Sequence, residues 1–560
     1  LPLLIAKLEE SGLSDLLNEH FPMHGNWKGL DGGKVTVAFL SYILSCSDHR
    51  MSHVETWAAQ RAYTLGHCFN SKGLNSKDFT DDKLTTLLEH YSNDEQWHSF
   101  EHAHNQRIIN VYNLNCKKEA IRLDAMITQS HREAGGDFQY GHSKQHRSDL
   151  PQLKTMVATL DPLAMPLFSQ TVAGNRSDDE LYLPVIKELL SNLKLSNQLF
   201  VGDSKMGSIG VRTHLQSKDH YYLMPLNQKQ LNRTTLQNYL TQKPLDLVKV
   251  YTKNKKGQET LKAKGFERIV QLSPEDSSLS WQERHIVVYS PAFASRQIKS
   301  FKSRIAKAIN ELSIILLPKQ GRKKNKNREN VAIAVQQILA KYKVADFLDV
   351  TIEEQLISKI IRKYKNRPQR KVTHSEFQLL IKVNKDAEKV HVSSLGWRVY
   401  ASNAPIEQLD TQQAILCYRN EYRIEHKFDE LLNHITALMP VFLQKTNRIK
   451  ALIRLLLVAL KFVSLIEYQA NTKLDETQQE IQGLYAGNPK RATNSPTTKQ
   501  MLRAFNNIHL NIISVDDKIH VSVSKLNVVQ RKILDLIQIP VEIYTNLSQI
   551  SFSGLNFSET

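Results

Sequence analysis

Residues 197–226 read NQLFVGDSKMGSIGVRTHLQSKDHYYLMPL, and this stretch decides the fold class. Leu199, Phe200 and Val201 form a short apolar run closed by Gly202 and Asp203, the pattern of a strand buried on both faces. GSIGVRTHLQSK then reads as a helix and HYYLMPL as a second strand. Upstream, Ser177-Asp-Asp-Glu180 stands before LYLPVIKELLSNL as a capping box opening another helix. Further back, KTMVATL and MPLFSQTVAG read as two strands joined at Asp161-Pro162-Leu163-Ala164, a hairpin turn, and RLDAMITQ as a strand before them. The order strand, strand, strand, helix, strand, helix, strand requires a mixed sheet flanked by helices.

Around this α/β centre the chain divides into five segments. Residues 1–115 read as helical: Leu4, Ile5, Leu8, Leu13, Leu16 and Leu17 keep a helical period, and GGKVTVAFLSYILS is a second apolar helix. His98, His102 and His104 are expected on a solvated helix face, because no Cys or carboxylate completes a metal set with them. Residues 116–225 hold the α/β pattern. Residues 226–410 read as an α+β interruption, with strand-like LDLVKVYT, RHIVVYS, EFQLLIKVN and GWRVYASN among basic helices. Its cationic tracts are Arg322, Lys323, Lys324, Lys326, Arg328 and then Arg362, Lys363, Lys365, Arg367, Arg370, Lys371. Residues 411–475 return to helix, with Ile424, Phe428, Leu431, Ile435 and Leu438 in one apolar stripe and a break at Pro440. Residues 476–560 are mixed.

At 560 residues the chain is too long for one core. Hydrophobic residues at 41% and charged residues at 23% exclude a disordered chain or a coiled-coil rod. Lys and Arg exceed Asp and Glu by 74 to 56, leaving +18, so nucleic acid leads the expected partners. The four cysteines form no C-x-x-C pair and read as reduced thiols. ALIRLLLVALKFVSLIEY is interrupted by Arg454 and Lys461, which makes it a core helix and not a membrane span. The start lacks an initiating Met, so earlier residues of the natural chain are expected.

No phosphate-binding G-x-x-x-x-G-K-[ST], no G-x-G-x-x-G, no H-E-x-x-H and no G-x-S-x-G is present. What remains is a set of acids. Asp124 lies in the first strand, Asp203 at the carboxyl end of LFVGD, where open α/β sheets put their ligands, and Glu425 beside the apolar stripe. Three acids on two strands and one helix suit two Mg²⁺ or Mn²⁺ ions, since hard cations prefer oxygen ligands. Glu421 and Asp429, one turn either side, compete with Glu425.

These residues carry a resemblance to the DDE transposases of bacterial insertion sequences, in the branch whose ribonuclease H-like domain is split by a β-rich insertion. RLDAMITQS resembles the strand with the family's first Asp, LFVGDSKMGS the second Asp segment, and YRNEYRIEHKF the glutamate helix. The resemblance implies a ribonuclease H-like catalytic core split by residues 226–410, a helical N-terminal domain that binds DNA ends, and catalytic metal ligands Asp124, Asp203 and Glu425. It also implies two Mg²⁺ or Mn²⁺ ions, double-stranded DNA as partner (terminal inverted repeats and target), a homodimer on that DNA, and a cytoplasmic location. The glutamate signature runs Tyr, two residues, Arg, three residues, Glu, six residues, Lys. Tyr418 and Glu425 keep it, whereas Glu421 holds the Arg position and Leu432 the Lys position. Arg423 and Lys427 are therefore expected to take over phosphate contacts, with Tyr418, His146, Arg147, Arg322, Lys323 and Lys324 as further DNA-binding candidates. Two rivals stand beside this reading: a catalytically inactive or domesticated DNA-binding derivative, and a nuclease that hydrolyses without joining.

Overall fold

The computed structural model describes residues 1–71, 73–114, 119–142, 147–193, 195–253, 258–317, 327–362, 368–433, 438, 441, 443–515 and 518–548. Two compact units emerge: one built from residues 1–224, 272–281 and 417–560, the other from 225–271 and 282–416.

In the first unit the strands are β1 (Ile121–Gln129), β2 (Gln152–Leu160), β3 (Met165–Ala173), β4 (Leu199–Val201) and β5 (Tyr221–Pro225), in the spatial order β3-β2-β1-β4-β5. β1, β2 and β3 run antiparallel, and β1, β4 and β5 parallel, so the sheet is mixed. The Asp161–Ala164 turn joins β2 to β3 as the sequence predicts. All nine residues of β2 are buried. The Asp179–Asn192 helix packs on β2 and β3, and the Thr446–Glu476 helix also packs on β3. Burial on both faces is why these strands read as continuous apolar runs.

The capping box is not formed. The Asp179–Asn192 helix has Asp178 at its N-cap with no side-chain cap bond. Lys154 Nζ lies 2.5 Å from Asp178 Oδ1, and Lys205 also pairs with this carboxylate. The helix starts one residue later than the box requires: with Asp178 at the N-cap, N3 is Leu181, and Glu180 pairs with Arg176 instead.

The Thr446–Glu476 helix is the axis of this unit, buried nearly all round from Ile449 to Ile466. Arg454 and Lys461 are buried within it: Arg454 donates to the Tyr91 carbonyl at 2.9 Å and pairs with Asp94, and Lys461 donates to Asn105 Oδ1 at 2.6 Å. Buried cations survive because each has a partner. Among the described residues no helix is long and apolar enough to cross a membrane. The far end of this helix shares a core with Leu3 and with Ile533, Leu536 and Tyr544 of the C-terminal region.

The histidines depart from the expected solvated face. His104 is fully buried, 3.2 Å from the Ser11 hydroxyl and stacked on Phe100, and half-buried His98 packs on Phe168. Burial pushes the His104 imidazole well below its usual range, and the Lys461 charge adds to this. It is a neutral core side chain.

In the second unit, β6 (Val248–Lys253), β7 (Glu259–Leu272) and β8 (Trp281–Tyr289) combine with β11 (Trp397–Ser402) in the order β11-β8-β7-β6. β9 (Leu348–Ile361) and β10 (Arg370–Val383) form a separate antiparallel ribbon. Its base shares a core with the Pro291–Ile314 and Arg328–Tyr342 helices through Leu348, Phe377, Phe301 and Val335.

Candidate active site

β1 and β4 pair in parallel with Ile121 opposite Phe200 and Arg122 opposite Val201. Carrying that register forward two residues sets Asp124 level with Asp203, just past the end of β4. Neighbouring strands lie about 4.8 Å apart, and level residues on parallel strands face the same way. Asp203 is held from two sides: its Oδ1 accepts from the Tyr182 hydroxyl at 2.8 Å and from the Lys205 backbone N–H at 2.8 Å. Tyr182 is only 1% exposed and reaches across from the Asp179–Asn192 helix. Gly202 makes room for it, since a Cβ there would stand 2.7 Å from Met206 Sδ and 3.3 Å from the Tyr182 ring.

Burial, then the charges of Asp203 and Asp124, drive the Tyr182 phenol well above its usual range, so it stays a neutral donor. Lys205 leans from the same turn to Asp178, which Lys154 holds on the other side. Burial raises the Asp178 carboxyl, but the two lysines more than offset this and keep it below its usual range. Tyr182, Lys205, Asp178 and Lys154 escape a reading of the sequence, because lone tyrosines and lysines carry no spacing signal.

The third acid sits on the helix Tyr422–Asn433, which packs against β1. Glu425 is in its first turn and exposed. The expected single glutamate helix is in fact two: Thr411–Arg419 ends before Tyr422 begins the next, with Asn420 and Glu421 between them. Buried Tyr418 therefore belongs to the preceding helix, and its carbonyl accepts the Glu421 N–H at 3.1 Å. Glu421 is half-buried. Burial, then the charges of Asp124 and Glu425, raise its carboxyl, against the opposing pull of Tyr418 and Arg122. Glu421 thus shares an electrostatic neighbourhood with both Asp124 and Glu425.

The candidate phosphate contacts fare unevenly. Lys427 is buried between Glu430 at 2.8 Å and Glu467 at 2.7 Å, so its charge is committed inside the fold and not offered to a phosphate. Arg147 is exposed and paired with Asp149 at 2.8 Å. His146, Arg322, Lys323, Lys324 and the side chain of Arg423 lie outside the described residues.

The donor set fits a hard divalent cation in its chemistry: Asp124, Asp203 and Glu425 are all carboxylates. Burial is the main cause of the raised groups of Glu421 and Tyr182. The charges of Asp124 and Glu425 on the one and of Asp203 and Asp124 on the other add to it, so negative charge from all three acids reaches this neighbourhood. Among the described residues no three His, Cys, Asp or Glu side chains are already grouped so as to hold a metal ion.

Residues 116–462 match the family model of the transposase DDE domain, which takes in more than half of the chain and all three acids. The chain belongs to the transposase DDE domain family. A comparison with curated proteins found no match. Among solved structures the chain is similar to a piggyBac transposase in a synaptic complex with hairpin DNA, at 11% identity and a TM-score of 0.24. That likeness covers 50% of this chain and 60% of that one, so this chain spans less than two thirds of the relative.

The Tyr182 bond to Asp203 yields a first prediction for this transposase-family site. Tyr182→Phe removes one donor from Asp203 and leaves the Lys205 N–H in place. On the function proposed below, DNA cleavage should fall roughly tenfold, with a stability loss of no more than about 1.5 kcal/mol, the range for one hydrogen bond. Cleavage kinetics and a denaturant melt measure the two effects. Unchanged kinetics would mean the phenol merely fills space.

Proposed function

We propose that this chain is a transposase that cleaves DNA at the ends of its own element and joins those ends to a target. The observation that carries the reading is the parallel pairing of β1 with β4, whose register carried forward brings Asp203, just past β4, level with Asp124, with the Glu425 helix packed on β1. Asp124, Asp203 and Glu425 would hold Mg²⁺ or Mn²⁺, two ions in all. When bound, such cations activate an oxygen nucleophile and stabilise the leaving oxygen of a phosphodiester. The chain's own contribution is positioning: Tyr182 and the Lys205 N–H fix one oxygen of Asp203, and Arg122 anchors β1 beside Asp124. Joining exchanges one phosphodiester for another, so it needs no external energy source.

In this reading the core is ribonuclease H-like, residues 226–410 are a DNA-facing insertion, and the N-terminal helices recognise the element's ends. The protein acts on bacterial insertion-sequence DNA in the cytoplasm, as a homodimer bridging two terminal inverted repeats. The net charge of +18 supplies salt-dependent affinity for the phosphate backbone.

The test is strand joining. Purified protein, Mg²⁺ or Mn²⁺, and duplexes carrying the inverted repeats that flank the gene should give free 3′-hydroxyl ends and then joined products. Cleavage without joining would favour a hydrolytic nuclease. End binding without cleavage would favour an inactive or domesticated derivative.

A further inference from the structure

We propose that the outer half of the β9–β10 ribbon is an arm that enters a groove of double-stranded DNA, its cations on the phosphate walls and its aliphatic side chains wedged at the floor. This rests on the DNA-acting reading above and deepens it, naming which element of the DNA-facing insertion meets the duplex and how.

The ribbon pairs without interruption from Leu348 opposite Val383 to Ile361 opposite Arg370, fourteen residues a strand. At about 3.3 Å per residue it extends roughly 45 Å. Among the described residues, only those of its base join a core, where Leu348, Val350, Ile352, Phe377 and Leu379 pack with the helices of this unit. Beyond Glu354 the ribbon leaves that core. Leu356 is 73% exposed, Ile360 61% and Ile361 43%. Large aliphatics so open to water signal a partner when they cluster.

Charge says which partner. Among the described residues 356–362 and 368–375, Lys359, Arg362, Arg370 and Lys371 are cations, and none is Asp or Glu. The register adds a second constraint. Each of the three outermost pairs couples one aliphatic to one cation: Ile361 with Arg370, Ile360 with Lys371, Val372 with Lys359. Successive pairs face opposite sides of a ribbon, so both faces carry a cation and an aliphatic together.

A ribbon built to lie on a lipid surface or to sandwich with a second copy would collect its aliphatics on one face. A DNA groove presents phosphates along both walls and apolar sugar edges or thymine methyls at the floor, which suits mixed chemistry on both faces. The major groove, about 12 Å wide, admits a two-stranded ribbon. Exposed Leu356, Ile360 and Ile361 of its outer half match the apolar side chains that groove-binding proteins wedge between base steps to bend the duplex.

Two variants of the full chain test this, each altering only exposed ribbon positions. One is Lys359→Ala/Arg370→Ala/Lys371→Ala, the other Leu356→Ser/Ile360→Ser/Ile361→Ser. The probe is a random-sequence duplex with a fluorophore at each end, titrated over a range of salt. The cation variant should bind at least about tenfold more weakly, and its slope of log affinity against log salt should shrink by about 2 to 3, one per lost phosphate contact. The aliphatic variant should keep the slope yet lose the end-to-end shortening that reports a bend.

Parental affinity and slope in the cation variant would overturn the proposal while leaving the proposed function standing. So would an aliphatic variant whose only change is weaker binding to anionic vesicles or weaker self-association. A parent chain that binds no duplex at all would instead bring down the proposed function.

Discussion

Glu425→Gln is expected to lower DNA cleavage on the order of 10³-fold, the scale of losing one directed electrostatic contact at a phosphodiester-cleaving centre. Glutamine keeps the size and helix propensity of glutamate, so the Tyr422–Asn433 helix should persist. Only the negative charge is lost. Duplex binding, proposed to rest on cationic contacts, should stay within about twofold of the parent. Glu421→Gln is the control. Its position matches the Arg of the family signature and not its acid, so an uncharged amide should be tolerated there. Cleavage kinetics of both variants with Mg²⁺ and with Mn²⁺ decide the matter. If Glu421→Gln is the dead enzyme and Glu425→Gln is active, the third acid lies one turn earlier than the family spacing implies.

The ambiguity between these two glutamates shows how far the sequence could be read. Strands β1 to β5 and their order were legible because a sheet covered on both faces must write itself as apolar runs, as in LFVGD and KTMVATL. β7 and β9 were not. ETLKAKGFERIVQL and LDVTIEEQLISKII mix charges into strands that are half-buried in the first and largely exposed in the second, and their pairing partners, not their own periodicity, make them strands.

Side-chain environments were hidden for a related reason. Lys427 reads as a surface cation one residue from a histidine, but Glu467, forty positions on, buries it. His104 reads as part of a polar triplet, but Ser11 and Phe462 close over it. The Ser177–Glu180 box is locally complete, yet Asp178, held by long-range lysines, takes the N-cap and puts the box out of register. In each case a local pattern lost to a partner that sequence distance conceals. Asp203 is less exposed to this, because the end of a strand in an open α/β sheet is placed by topology, and the pairing of β1 with β4 sets mid-strand Asp124 level with it.

Arg122→Ala should be the most destabilising single change near the site, by about 3–5 kcal/mol, the range for orphaning one member of a buried ion pair. Arg122 is 2% exposed and stands two residues before Asp124 in β1. It donates to Asp161 Oδ2 from Nε at 3.0 Å and from Nη2 at 2.6 Å, and Nη2 also donates to the Cys417 carbonyl at 2.7 Å. One guanidinium thus ties the first acidic strand to the β2–β3 turn and to the helix that precedes Glu421. Burial lowers the guanidinium's affinity for its proton, but Asp161 more than offsets this, so the charge is retained in the fold. Removing it strands a buried carboxylate and frees a carbonyl at once. Asp161→Asn should cost less, since an amide oxygen still accepts from Arg122. The double variant Arg122→Met/Asp161→Leu should be more stable than Arg122→Ala, because neither side chain then needs a partner. Denaturant melts of the three variants give the comparison. A single Arg122→Ala variant that unfolds like the parent would mean solvent reaches Asp161 readily and the pair holds nothing in place.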